Sequence, residues 1–158
     1  MHPIALYTDG AAKGNPGPGG YGVVLVSGPY RKELSGGVSL TTNNRMELLA
    51  VIVGLEALKI PGSQVTVYSD STYVVNAIEK GWLLKWQAKG FKKAKNIDLW
   101  LRFLHVWPKY RVNFVWIKGH SGHPENERCD RLATEAAGLP NLPPDSGYTP
   151  EQEVFFGN

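Results

Sequence analysis

A single cysteine, Cys129, stands in the 158 residues. One thiol can neither form an intramolecular disulfide framework nor build a zinc site of several thiolates, and a reducing cytoplasm is the compartment that fits. No run reaches the roughly 18 apolar residues of a membrane span, and the opening MHPIALYTDG has no basic segment leading into a long apolar core. A soluble protein with no membrane contact is expected. Neither an H-R-D nor a D-F-G triplet occurs. Gly17, Gly19 and Gly22 satisfy G-x-G-x-x-G with Val24 after it, but the missing triplets argue against a kinase. That glycine segment also joins two predicted strands and contains Pro16 and Pro18, so no nucleotide-binding helix follows and the glycines are expected to shape a turn. His120, His123 and Cys129 lack a fourth soft ligand, and Gly and Pro break the helical spacing between them, which argues against zinc. There is no internal repeat.

Acid is also missing from one particular stretch. Between Lys80 and Ile97 there are six lysines (Lys80, Lys85, Lys89, Lys92, Lys93, Lys95) and no Asp or Glu. This stretch carries +6, while the remainder holds 11 basic against 14 acidic residues, −3, so the net +3 is entirely local. Trp82, Trp86 and Phe91 are interleaved with the lysines. Ammonium groups hold phosphates and rings lie against sugars or bases, so the mixture suits a nucleic-acid surface; a solvated amphipathic helix is the alternative.

What is present is enough for one compact domain. With 42% hydrophobic residues and 11 Pro against 18 Gly, a chain of this length buries about two thirds of its unfolded surface. Ile4 to Thr8, Gly22 to Val26 and Lys32 to Leu40 read as an antiparallel meander of three strands. A helix begins at Asn44. From Met46 to Leu55 its only charge is Glu47, so it should be buried between layers. Val65 to Tyr68 is a short strand followed by a helix from Asp70-Ser71 to about Lys80. Trp82 to Ala88 and Ile97 to Trp107 are helical, with a protruding Lys/Gly loop between them, and Tyr110 to Ile117 alternates as a fifth strand. A last helix spans about Glu125 to Ala137. The domain is assigned to residues 1–140, with 141–158 a Pro-rich tail, partly ordered or flexible. The fold class is α/β: a mixed five-stranded sheet, three antiparallel strands then two parallel, with helices on both faces.

Four carboxylates stand where an acid is unexpected: Asp9 ending an apolar run, Glu47 in the apolar helix, Asp70 after VTVYS and Asp130 after HPENERC. Each has an ordinary alternative. Asp9-Gly10 is a turn dipeptide, Glu47 could close a capping box with Asn44, Asp70 could be a helix N-cap, and Asp130 a first-turn acid complementing the helix dipole. Their convergence favours a magnesium site, because Mg²⁺ prefers hard oxygen ligands and two such ions can serve both the attacking and leaving oxygens of a phosphodiester displacement.

YTDGAAKGNPGPGGYG (Tyr7 to Gly22), TTNNRMEL (Thr41 to Leu48), YSDSTYV (Tyr68 to Val74) and WIKGHSGHPENERCD (Trp116 to Asp130) are similar, in order and spacing, to the signature segments of type 1 ribonuclease H. The likeness extends to DSGY near the tail. It implies the ribonuclease H-like fold and an endonuclease that cuts the RNA strand of an RNA/DNA hybrid, using two Mg²⁺ ions, or Mn²⁺ in substitution, and leaving 5′-phosphate and 3′-hydroxyl ends. It also implies a monomer with no obligate protein partner. Carried over by position, Asp9, Glu47, Asp70 and Asp130 are the catalytic metal ligands, with Asp9 and Asp70 central. His120 assists the attacking water or product departure, and Glu127 helps at the second metal. Asn15, Asn43 and Asn44 resemble readers of 2′-hydroxyls and base edges, and Thr42 a phosphate contact. The segment with Trp82, Lys85, Trp86, Lys89, Lys92 and Lys93 resembles the family's basic protrusion that grips the DNA strand. It is shorter and less basic than the fullest examples, and Thr72 stands where a glutamine is common. A catalytically silent hybrid-binding module would be expected to lose at least one acid, and a transposase or integrase core would not be expected to carry TTNNRMEL.

Overall fold

The computed structural model describes residues 2–119 and 122–150. Five strands are laid down as β1 (Ile4–Ala12), β2 (Gly17–Ser27), β3 (Tyr30–Thr41), β4 (Gln64–Ser69) and β5 (Arg111–Trp116). Five α-helices accompany them: α1 (Asn43–Glu56), α2 (Thr72–Glu79), α3 (Trp82–Ala88), α4 (Ile97–Val106) and α5 (Pro124–Ala137). The sheet runs β3-β2-β1-β4-β5. β1, β2 and β3 pair antiparallel, and β1–β4 and β4–β5 pair parallel. This is the mixed architecture read from the sequence.

The strands follow from β-branched alternation. Along QVTVYS, Val65 and Val67 are fully buried while Gln64, Thr66 and Tyr68 are not, the period-two pattern of a pleated strand. On β2, Val23 joins the core beneath α1 and Val24 the smaller cluster beneath α5, so successive residues feed opposite faces. The larger core gathers α1, α2, α3 and α4 on one face around Leu6, Val67, Leu48, Trp100 and Phe103. Among the described residues, helix α5 alone covers the other through Cys129 and Leu132. Among the described residues, no helix is long and apolar enough to cross a membrane.

Several boundaries differ from the sequence reading. β1 continues through Asp9-Gly10 to Ala12, with Asp9 opposite Gly22 in the ladder, so this dipeptide is strand rather than turn. The glycines Gly17, Gly19 and Gly22 likewise lie within β2, with a register shift between Gly17 and Gly19, instead of shaping a turn. The long ladder overrides local turn preference because each paired residue adds cross-strand bonds. α1 begins one residue earlier than expected, at Asn43, because the Thr42 hydroxyl accepts from the Arg45 N–H at 3.3 Å. Ser71, not Asp70, caps α2, accepting from the Val74 N–H at 3.1 Å. α4 stops at Val106, and Trp107–Lys109, with its proline, forms a 3₁₀ turn.

Two glycines bring helix backbone against the sheet. A Cβ on Gly22 would lie 2.2 Å from the Cys129 carbonyl oxygen of α5, and one on Gly10 would lie 2.3 Å from the Met46 carbonyl carbon of α1. Neither obstacle is a side chain that can turn away. Gly22→Ala should therefore force α5 off the sheet and cost about 1–3 kcal/mol, the range for overpacking. Urea unfolding checks this, and an unchanged midpoint would show that the helix seat is looser than the structure has it.

Candidate active site

β1 and β4 are the parallel neighbours at the centre of the sheet, and their register aligns Tyr7 with Tyr68. Two residues further along each strand direction come Asp9 and Asp70, so two acids leave adjacent strands at the same level. β1 is also where the sheet changes from antiparallel to parallel pairing, the kind of switch point at which α/β sheets open a crevice at their carboxyl ends.

Glu47 comes from α1, and Gly10 decides how close it comes. Because Gly10 has no side chain, the helix backbone at Met46 and Glu47 lies directly on β1. The Gly10 N–H donates to Glu47 Oε1, and at 2.9 Å to Asp9 Oδ1. Asp9, Glu47 and Asp70 each offer an oxygen, and these lie within 4.8 Å of one another. Asp130 comes from α5 and lines a cleft with Asp9 and Asp70, together with Thr8, Asn126 and Glu127. It occupies the seventh position of α5, so it is not a first-turn acid. It stands outside the tight triad but its charge acts on Asp9.

Glu47 is only 8% exposed. Burial raises its carboxyl well above the ordinary range, and the adjoining Asp9 and Asp70 push the same way. Asp9 is pushed up to about 7, first by burial and then by the charges of Asp70 and Asp130, against a hydrogen bond from Glu47 and one from the Gly10 N–H. Burial and mutual repulsion thus raise the proton affinity of both carboxyls in the metal-free protein. An all-oxygen donor set whose members raise each other's proton affinity fits a hard divalent cation, which would replace a bound proton.

His120 lies outside the described residues. Gly119, just before it, runs against the cluster, since a Cβ there would lie 2.9 Å from Asp70 Oδ2. The asparagines form a chain of contacts beside the acids. Asn15 Oδ1 accepts from the Asn43 N–H at 2.9 Å, and Asn43 Oδ1 accepts from the Ala12 N–H at 2.7 Å. Asn43 and Asn44 border the opening that contains Asp9, Glu47 and Asp70, and also a groove lined by Asn15, Thr42, Lys95, Asn96 and Tyr148.

The lysine segment divides by role. Lys85, Lys89, Lys92 and Lys93 are exposed. Lys80 Nζ sits 5.6 Å over the half-buried Trp82 ring. Trp86 is half-buried, its ring 5.7 Å from that of the core residue Trp100. It is therefore anchored core as much as surface, which interleaving in the sequence does not distinguish.

Two cleft residues escaped the sequence reading. Asn126 precedes Asp130 by one helical turn, and its Oδ1 is buried without a hydrogen-bond partner among the described residues. The spacing of four was the available signal. The Tyr73 hydroxyl accepts from Asn96 Nδ2 at 3.0 Å and from Trp100 Nε1 at 2.8 Å, while the residue borders the acid opening. Nothing local marks it.

A mixed sheet in this order, with carboxylates gathered over the ends of its central parallel pair, defines the ribonuclease H-like class of folds. The chain belongs to the RNase H family, whose sequence profile matches residues 1–138. The ribonuclease H of Syntrophus aciditrophicus (strain SB) is 59% identical over 150 residues, covering 92% of this chain and 86% of that protein. The ribonuclease H of Desulforamulus reducens is 60% identical over 147 residues, covering 90% and 92%. Among solved structures, LC9-RNase H1, a type 1 RNase H with the type 2 active-site motif, matches with TM-score 0.80 at 28% identity over 100% of this chain and 82% of that one. LC11-RNase H1, solved in complex with an RNA/DNA hybrid, matches with TM-score 0.66 at 30% identity over 85% and 96%.

The raised affinity of Asp9 for a proton has a consequence for stability. The folded chain binds that proton more tightly than the unfolded chain, so the stabilisation is complete below the ordinary carboxylate range and is lost as pH rises through about 7. In EDTA, Asp9→Asn should raise stability at pH 8 by about 1–3 kcal/mol and flatten the decline between pH 5 and 8. Thermal unfolding across that range checks it, and parallel pH profiles for the two proteins would contradict it.

Proposed function

We propose that this chain is an endonuclease that hydrolyses the RNA strand of RNA/DNA hybrids, working as a cytoplasmic monomer and leaving 5′-phosphate and 3′-hydroxyl ends. The observation that carries this reading is the adjacency of the acid triad to the asparagine-bordered groove: one opening contains Asp9, Glu47, Asp70, Asn43 and Asn44. Membership of the RNase H family supports it.

Two Mg²⁺ ions, or Mn²⁺ in their place, would be held by Asp9 and Asp70 in common, with Glu47 completing one site and Asp130 the other. When bound, such ions make water a better nucleophile and neutralise charge growing on the leaving 3′-oxygen. The chain's own residues supply position. The Gly10 N–H fixes Glu47 against Asp9, so the acids are pre-set rather than recruited. Glu127 stands in the same cleft as Asp130 and helps there. His120 moves a proton for the attacking water or assists product departure and holds no ion.

Substrate choice follows from two surfaces. Asn15, Asn43 and Asn44 read 2′-hydroxyls and base edges on the cleaved strand, as recognition of RNA requires. Thr42 touches a phosphate. Lys85, Lys89, Lys92 and Lys93 attract the deoxy strand, whose sugars lack the hydroxyl that would crowd the rings of Trp82 and Trp86. Duplex DNA fails the first surface and duplex RNA the second.

Labelled hybrid, duplex DNA and duplex RNA, each incubated with Mg²⁺ or EDTA and resolved on a gel, test the reading. Cleavage is expected for the hybrid with Mg²⁺ alone, and Asp70→Asn should abolish it while hybrid binding persists. Efficient cutting of duplex RNA, or full activity of the variant, would overturn it. Replacing Lys89, Lys92 and Lys93 with Gln should flatten the dependence of binding on log salt by up to about 0.9 for each phosphate left unneutralised, on the duplex-DNA scale. Turnover at saturating hybrid should hold, because these lysines bind ground state and transition state alike. An unchanged salt slope would make them ordinary surface.

A further inference from the structure

Arg45 is completely buried and lies outside the acid cluster, yet all five of its N–H groups are engaged. Nε and Nη2 donate to the two oxygens of Asp145 at 2.7 and 3.0 Å. Nη1 and Nη2 donate to those of Asp98 at 2.8 and 2.7 Å, and Nη1 also to Asn96 Oδ1 at 3.3 Å. Asp145 Oδ2 takes a further bond from the Thr41 hydroxyl at 2.7 Å. Two bidentate carboxylates on one guanidinium fix orientation as well as charge. A buried ion pair of this kind is weak evidence for stability, since apolar groups of similar volume often serve as well. What it does supply is geometry.

The partners come from the segments that border the groove. Arg45 follows Asn43 and Asn44 in the first turn of α1, two residues before Glu47. Asn96 ends the lysine segment, and Asp98 lies in the first turn of α4 just beyond it. Asn96 reaches on to the Tyr73 hydroxyl at the acid opening. Asp145 belongs to the tail, which the Ser39 N–H fastens through the Pro143 carbonyl at 2.8 Å. At Gly147 a Cβ would lie 1.8 Å from Asp98 Oδ2 and 2.8 Å from Arg45 Nη2, so the chain there is pressed onto the ion pair. Tyr148 then lines the groove beside Asn15, Asn43, Asn44 and Lys95.

We propose that residues 143–148 form a strap that sets the spacing between the asparagine row and the lysine segment, with Asp145 as its positioning residue. The proposal rests on the hybrid-hydrolysis reading above. With the strap in place, the readers of one strand and the cationic segment for the other are held at one separation, and a hybrid meets both together. Without Asp145, Arg45 keeps Asp98 but loses the bonds that fix the start of α1 to β3 and the tail. Helices α1 and α4 remain joined by the core and, at the far end of α1, by the Arg102–Glu56 pair. The disturbance is therefore local to the groove.

The test is steady-state cleavage of hybrid by full-length wild type, Asp145→Asn, Asp98→Asn and Glu56→Gln, with thermal unfolding of each and anisotropy of a fluorescent hybrid in EDTA. Asp145→Asn should raise KM and weaken binding roughly fivefold to tenfold, on the scale of ordinary coupling between sites, while kcat stays within about twofold. Asp98→Asn, which opens the same hub from α4, should reproduce the split and carries the test if Asp145→Asn fails to fold. Glu56→Gln, which loosens the same helix pair away from the groove, should leave both constants unchanged. Lower Tm with unchanged KM in the hub variants would reduce the strap to a structural tie. A fall in kcat at constant KM would place its effect on the acids, and either result overturns the proposal. Failure of wild type to cut hybrid would instead remove the reading on which it rests.

Discussion

Three carboxylates with oxygens within 4.8 Å of one another repel, and burial deepens that repulsion by removing the water that would screen it. The structure holds them together by forces that act on backbone. Asp9 is locked into the ladder with β2, Asp70 follows the last residue of β4, and Glu47 is carried by a helix buried on nearly all sides. None can retreat without breaking sheet or core contacts. The energetic conflict is thus borne by the fold, and a cation would relieve it. Gly10 is the hinge of the arrangement, because any larger residue would push α1, and Glu47 with it, away from Asp9.

The start of α1 concentrates several tasks in six residues. Thr42 caps the helix, Asn43 and Asn44 face the groove, Arg45 turns into the polar hub, and Glu47 reaches the acids. Successive residues on a helix point about 100° apart, so a short stretch can address groove, tail and acid cluster in different directions. Asn43 and Glu47, four apart, share the side that opens on the acids. The same periodicity places Asn126 and Asp130 on one face of α5. Positions in both signature segments are therefore spaced by helical geometry, while the segments themselves are far apart in the chain.

Much of this is legible in the chain before it folds. Short apolar runs bounded by turn residues mark the strands, with alternation clear in the fifth, and the parallel pair follows from the helical segments separating the last two. The acids stand out because each interrupts an apolar context, and the lysine stretch because it lacks any acid. The glycine-rich segment reads as a turn and is strand, since turn preference is local and the pairing of Gly17–Ser27 with both β1 and β3 is not. Asp70 looks like a helix cap for the same reason: Ser71 beside it is equally able to cap, and only the strand's end decides which carboxylate or hydroxyl faces the helix. Arg45 gives no signal, because a lone arginine next to an apolar run is ordinary until Asp98 and Asp145 are seen to meet it.

By itself the amino-acid sequence determined the class of fold, the family resemblance and which acids interrupt an apolar context, because periodicity, charge distribution and signature spacing are all one-dimensional properties. The tertiary structure alone decided which carboxylates form the tight triad and which stands apart, that Trp86 is anchored on Trp100, and that the tail reaches back to the start of α1. Those outcomes depend on contacts between residues 14 to 104 positions apart, such as Trp86 with Trp100 and Thr41 with Asp145. Such contacts are set by how closely backbones can approach and by which buried groups find partners, and no local pattern encodes either.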